Sequence, residues 1–200
     1  MDLGILLPTR EECTYTKNYC EENVWKLCEH IKEKKSDFLD HVFVIFISNK
    51  NRTVPLWCQR AQAKDSSPVV WDYHVVLMVK MDKNAQVAAK YYIYDLDTYL
   101  PFPVSLEVYF KETFKPQVFL KSEFNQMLKV VSAIDYLLVF ASDRSHMKKA
   151  NGLWIANPPT YSCICTDVAT MNLDDFISME SGIGTVYNVS EFMESFGIKC

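Results

Sequence analysis

The stretches "PVVWDYHVVLMVK" (residues 68–80) and "KYYIYDLDTYLPF" (residues 90–102) decide how this sequence folds. Both are dense in β-branched and aromatic side chains, and the polar segment Met81 to Gln86 lies between them. Two antiparallel strands joined by a connection longer than a two-residue turn are therefore expected. Opposed positions in such a pair have a constant sum, so a turn centred between Asn84 and Ala85 sets Lys80 against Ala89 and His74 against Asp95. A bulge shifts that pairing towards Asp97. Because alternate residues share a face, Asp95 and Asp97 both stand as partners for His74, while Leu96 points away. The partner matters because an imidazole at the head of the apolar run Val75 to Val79, within the same strand, needs either solvent or a hydrogen bond.

Working outward, "HVFVIFISNKNRTVPLWCQRA" (41–61) reads as a hairpin turning at Ser48 to Arg52, and Pro101 and Pro103 end the sheet. "SLEVYFKETF" is helical after a Ser105 cap, "QMLKVVSA" is a strand, and "IDYLLVFASDRSHMKK" has helical spacing through Lys149. "NGLWIANPPTYSCICT" is loop. Near the carboxyl end "NVSEFMESFG" is a short capped helix closed by Gly197. Strands bracketed by helices without βαβ alternation predict an α+β domain, an α/β sandwich with a mainly antiparallel sheet and flanking helices, spanning residues 1–200 as one unit.

The chain has 200 residues, 49% hydrophobic and 23% charged, enough to bury one core. A net charge of −4 without a long basic run leaves no electrostatic footprint for nucleic acid or an anionic membrane. The amino terminus fails the plan of a signal peptide, and no apolar run is long enough to span a bilayer. Seven cysteines without a framework suit reduced thiols in a cytoplasmic or nuclear setting, where the sequons at Asn51 and Asn188 meet no glycosylation machinery.

One of those thiols stands out. In "TKNYCEENVWKLCEH" (16–30), Asn18 and Glu21 have capping-box spacing, which starts a helix near Tyr19. Cys20, Val24, Leu27, Cys28 and Ile31 then share its apolar face, opposite Glu21, Glu22, Lys26, Glu29 and Lys32. Cys20 thus points inward from the first turn, among unpaired amides that favour a thiolate or an oxyanion. By itself the position favours a buried structural cysteine over a nucleophile. Among the histidines, His30 sits late on the helix, His41 opens a strand and His146 lies at a polar helix end. His74 remains as a base for Cys20, with Asp95 or Asp97 to orient it, in the pattern that thiol acyl transfer requires.

The segments "YCEENVWKLC", "VPLW", "VVWDYHVVL", "YDLDTYLPFP", "FASDRSHMK" and "MNLDDFISM", in this order over nearly the whole chain, resemble the protein N-terminal glutamine amidohydrolase family. The resemblance implies deamidation of an amino-terminal glutamine to glutamate in protein substrates, feeding the N-degron route. It also implies a transglutaminase- or papain-like thiol hydrolase core, with Cys20 as nucleophile, His74 as base and Asp95 as orienting acid. One departure is Asn18, where relatives often carry another cysteine. No metal or organic cofactor is implied. The chain is expected to act as a monomer on proteins or peptides with an N-terminal glutamine. The substrate's α-ammonium needs an anionic partner, for which Glu22, Asp72 and Asp97 are candidates, and Trp71 and Tyr73 are candidate walls. The competing readings are a cysteine peptidase or transglutaminase with the same triad, and a noncatalytic or metal-binding module on Cys163, Cys165 and His146, whose spacing is a poor zinc signal.

Overall fold

The computed structural model describes residues 7–61, 67–81, 90–180 and 182–199. Helix α1 (Cys20–Lys35) is followed by strands β1 (Val42–Ser48), β2 (Val54–Leu56), β3 (Val69–Trp71), β4 (His74–Met81), β5 (Lys90–Tyr94) and β6 (Val104–Ser105). Helix α2 (Leu106–Tyr109) runs into a wider turn through Phe114, and β7 (Met127–Ser132), α3 (Ala133–Val139), α4 (Leu173–Ile177), β8 (Thr185–Asn188) and α5 (Val189–Ser195) complete the order. Six strands form one sheet in the order β6-β5-β4-β1-β7-β8, and every neighbouring pair is antiparallel.

Helices cover both faces of this sheet. Val44 and Phe46 of β1 and Val75, Leu77 and Val79 of β4 pack with α1, α3 and α4. Their alternates Ile45, Ile47, Val76 and Met78 pack with α2, Phe110, Phe114 and Phe192 of α5. Covering on both sides explains why the central strands read as unbroken apolar runs rather than as alternation. The expected α+β class with a mainly antiparallel sheet and flanking helices is what the structure has.

Three local expectations are corrected. First, β1 and β2 do not pair: both edges of β1 are taken, by β4 and β7, and β2 instead pairs with β3 in a separate ribbon. Asn49 turns the chain out of the sheet, its amide donating to Thr53 O at 2.9 Å and its Oδ1 accepting from the Asn51 and Thr53 amides at 3.0 Å. Second, the helix expected through Lys149 ends at Val139, where the Asn172 side chain bonds Val139 O at 2.6 Å and the Ala141 amide at 2.8 Å and draws the chain into an extended course. Third, the sheet does not end at the two prolines, since Val104 and Ser105 of β6 resume pairing with β5. The Ser105 cap on α2, the strand β7 and the Asn188-capped α5 before Gly197 stand as expected.

The hairpin of β4 and β5 is present, with its turn outside the described residues, but its register pairs Leu77 with Tyr94 and Lys80 with Tyr91. Extrapolated, that register sets His74 opposite Asp97 rather than Asp95. The ladder stops at Tyr94, however, and beyond it the chain curls back rather than continuing as a strand.

The sheet face under α3 and α4 carries a cluster of four aromatic rings, Phe46, Tyr136, Phe140 and Phe176. Phe46, with no exposed surface, lies 5.7 Å from the Tyr136 ring and 5.3 Å from Phe176. Phe46→Ala is expected to cost about 3–5 kcal/mol. Denaturant unfolding checks this: the midpoint falls while the slope is unchanged.

Candidate active site

The site forms where the first residue of β4, the first turn of α1 and the loop following β5 meet. His74 is 1% exposed and sits beside Ile47 at the end of the two central strands. Asp95, equally buried, follows the last paired residue of β5, and its Oδ1 lies 3.0 Å from His74 Nε2.

Asp95 has its whole acceptor capacity in use. Oδ1 also accepts the Asp97 amide at 2.8 Å, and Oδ2 accepts the Tyr109 hydroxyl at 2.8 Å and the Gln59 amide at 3.3 Å. Burial alone would raise this carboxyl's pKa, but His74 beside it and the donated hydrogen bonds outweigh that and hold it below the usual carboxylate range. An ionised carboxylate only accepts, so His74 Nε2 must carry a proton. In neutral His74 the lone pair then resides on Nδ1, which is buried and has no hydrogen-bond partner. Burial disfavours imidazolium, yet Asp95, with Asp97 and Glu21 behind it, raises the His74 pKa overall.

The loop bearing Asp95 and Asp97 is clamped from two sides. Arg10 donates to the carbonyls of Leu96, Thr98 and Leu100, the last at 2.8 Å. Segment 58–60 holds the other side, through Thr98 Oγ1 to Cys58 O at 2.7 Å and the Arg60 amide to Asp97 O at 2.6 Å. The ring of Trp71 stacks on His74 with centroids 5.3 Å apart, covering one face of the imidazole.

Cys20 opens α1 and is 8% exposed. Asn18 does not cap the helix as the sequence suggests. It lies in the left-handed region at φ 67, which asparagine tolerates, and Tyr19 is the N-cap without a side-chain bond. Asn23 supplies the local tie instead, with its side chain accepting from the Thr16 amide at 2.8 Å and donating to Thr16 O at 2.9 Å. The thiol's pKa stands well above its ordinary value because of burial, with Glu21, Asp97 and Asp72 adding to the rise and a hydrogen bond from the Val75 amide opposing it. Val75 directly follows His74 in β4.

The apolar face of α1 is buried as expected, but Glu21 and Glu22, expected on the solvent side, are fully buried as well. Loop residues 140–162 cover that side of the helix and bring their own donors. Arg144 Nε and Nη2 reach Glu22 Oε1 and Oε2 at 2.8 and 2.7 Å, while its Nη1 donates to Tyr161 O at 3.0 Å. Glu21 Oε2 accepts the Tyr73 hydroxyl at 3.0 Å and faces Cys20 Sγ at 3.7 Å. Desolvation lifts the Glu21 carboxyl to about 7.

Of the substrate-binding candidates, Glu22 is therefore engaged by Arg144. Asp72 is exposed and accepts the Tyr73 amide at 3.0 Å. Asp97 is buried and accepts the Tyr15 hydroxyl at 2.6 Å. Tyr73 is buried and turned to Glu21, and Trp71 stacks on the imidazole. His146, expected in solvent at a helix end, is turned inward with its Nε2 3.6 Å from Glu21 Oε1. Cys163 and Cys165 are exposed. Among the described residues, the three side chains whose ligating atoms come together are His74, Asp95 and Asp97, and the filled acceptor sites of Asp95 suit a cation poorly. Sequence reasoning missed Gln59, Tyr109, Arg10, Arg144 and Glu21. The first four act across 36, 14, 86 and 122 residues of separation, with no local spacing to mark them.

Residues 15–196 match the family model described as N-terminal glutamine amidase. A Danio rerio protein named protein N-terminal glutamine amidohydrolase is 46% identical over 197 residues, 98% of this chain and 95% of its own. A Homo sapiens protein of the same name is 45% identical over 194 residues, covering 96% and 92%. One from Drosophila grimshawi is 42% identical over 198 residues, covering 98% and 94%.

The buried Glu21 carboxyl has a measurable signature. Its native pKa near 7 lies above the unfolded value of about 4.3, so between these limits the native state keeps a proton that the unfolded chain loses. Its contribution to stability therefore falls as pH rises through that window. Glu21→Gln is expected to gain on the parent by roughly 3 kcal/mol between pH 4 and pH 8. Urea unfolding of both chains across this range checks it, and a pH-independent difference contradicts it.

Proposed function

The chain belongs to the N-terminal glutamine amidase family, and from that premise we propose that it converts the amino-terminal glutamine of proteins to glutamate with release of ammonia. Cys20 is the nucleophile, His74 the general base and acid, and Asp95 the residue that orients the imidazole. The observation that carries this reading is the saturated Asp95 carboxylate, which fixes the proton on His74 Nε2 and leaves Nδ1 as a buried, unpartnered base.

In the proposed cycle Nδ1 takes the Cys20 proton and the thiolate attacks the side-chain carboxamide carbon. The oxyanion is met by amides of the first turn of α1, where helix geometry offers no acceptor until Asn23 N bonds Tyr19 O at 2.9 Å. The Nδ1 proton passes to the leaving nitrogen, which departs as ammonia, and a thioester remains. Water gives a proton to Nδ1 as it attacks that carbon, and collapse yields glutamate and the free thiol. The resting thiol is held protonated by burial and by the carboxylates around it, so in this reading its proton moves only once the substrate is bound.

The same reading takes the core as transglutaminase- or papain-like, a helix-borne cysteine facing a histidine–carboxylate pair at strand ends, and the chain as a single catalytic domain acting as a monomer. It places the activity in the cytoplasm or nucleus, ahead of N-degron recognition, with neither nucleic acid nor membrane as a partner. Free cysteines support a reducing compartment, and among the described residues no helix is long and apolar enough to cross a membrane.

Ammonia release from matched peptides tests the proposal. A peptide with amino-terminal Gln should be turned over, while its acetylated form and the amino-terminal Asn peptide should not; comparable rates for all three describe a general amidase instead. Cys20→Ala and His74→Ala should abolish turnover, and Asp95→Asn should lower kcat by about 10³-fold or more through loss of the correct tautomer. A cut chain or an isopeptide among the products would assign a peptidase or a transglutaminase.

A further inference from the structure

Most carboxylate oxygens around Cys20 are already occupied. Both oxygens of Glu22 are taken by Arg144, Asp95 accepts four donors, and Asp97 holds the Tyr15 hydroxyl. Among these carboxylates Glu21 alone has an oxygen that is both fully buried and unpartnered. Its Oε2 has Tyr73, but its Oε1 is buried without a hydrogen-bond partner. A buried carboxylate oxygen left in that condition is costly, and native structures rarely keep one without use. His146 Nε2 is 3.6 Å away, beyond a hydrogen bond, and neither nitrogen of that ring is otherwise paired. His146 belongs to the short turn Ser145–Met147 and keeps 22% of its side chain exposed, so Oε1 lies beneath a partly exposed ring that makes no hydrogen bond.

We infer that Glu21 Oε1 is the seat of the substrate's α-ammonium and that His146 covers it until the substrate arrives. The inference rests on the proposed deamidation and assigns its specificity. Glu21 adjoins Cys20 in the helix, and its carboxylate is 3.7 Å from the sulfur. In glutamine four bonds separate the α-nitrogen from the carboxamide carbon, about 5 Å when extended, which spans from one group to the other. Asparagine is a bond shorter and falls short when the ammonium is anchored. An internal or acetylated glutamine brings no cation and leaves the carboxylate unpaired. The same ammonium offsets the negative surroundings of the thiol, so the group that marks a free terminus also favours the thiolate.

The test compares kcat/KM for two peptides identical except that one lacks the α-amine, its first residue being a glutaramoyl group. The parent enzyme should prefer the amine-bearing peptide by at least about 100-fold. Glu21→Gln should bring that preference close to unity, chiefly by slowing the amine-bearing peptide. Continued turnover of the des-amino peptide then shows that the fold and the chemistry survive. Glu21→Asp, which keeps the charge, should retain part of the preference, and it serves if the Gln variant does not fold. Asp97→Asn should leave the preference within a few-fold. A preference that survives Glu21→Gln, that collapses in Asp97→Asn, or two rates that fall together in Glu21→Gln overturn the assignment. A parent enzyme that turns over neither peptide overturns the deamidation reading itself.

Discussion

The site is organised by one buried negative charge. Asp95 sits at the end of β5 with almost no exposure, and a carboxylate there is tolerable only with its lone pairs filled. Its four donors come from the start of β4, the loop after β5, the segment after β2 and helix α2. Meeting that demand fixes where these pieces lie relative to one another, and it sets the tautomer of His74 as a by-product. The Arg10 clamp and the stacked Trp71 hold the result in place.

A second buried anion organises the other half. Glu22 and Arg144 form a pair that is nearly solvent-free, and Arg144 also draws in the carbonyls of Tyr161 and Pro159. This pins the 159–161 segment against the start of α1, where Cys20 is 8% exposed. Desolvation of that kind makes every charge near the sulfur count for more than it does at a surface. Burial, with Glu21, Asp97 and Asp72 adding to it, therefore holds the thiol's pKa well above its ordinary value.

Much of this was legible in the residues, although not always for the right reason. The unbroken run from Val75 to Val79 announced a central strand, and the carboxylate partner of His74 was found, but through a register two residues away from the real one. Asp95 is reached because the chain curls back after Tyr94, and the Asp97 amide bonds Asp95 Oδ1 in a short turn that strand periodicity cannot express. The inward face of α1 followed from its spacing. Burial of Glu21 and Glu22 did not, because helix periodicity assigns sides without knowing that a loop more than 100 residues away brings an arginine to the polar one. For the same reason His146 read as a solvated helix end: the helix that should have carried it stops at Val139.

The account stands on Cys20 and His74 acting on one side-chain carbonyl carbon. A peptide whose amino-terminal glutamine carries a diazomethyl ketone in place of the carboxamide tests this directly, since such a group alkylates a thiolate only when a neighbouring acid protonates the diazo carbon and nitrogen leaves. The account predicts one label per chain, on Cys20 by peptide mapping, with loss of turnover in step and no labelling in His74→Ala. Stoichiometric labelling of another cysteine with loss of turnover, or unimpaired labelling of Cys20 in His74→Ala, would contradict it.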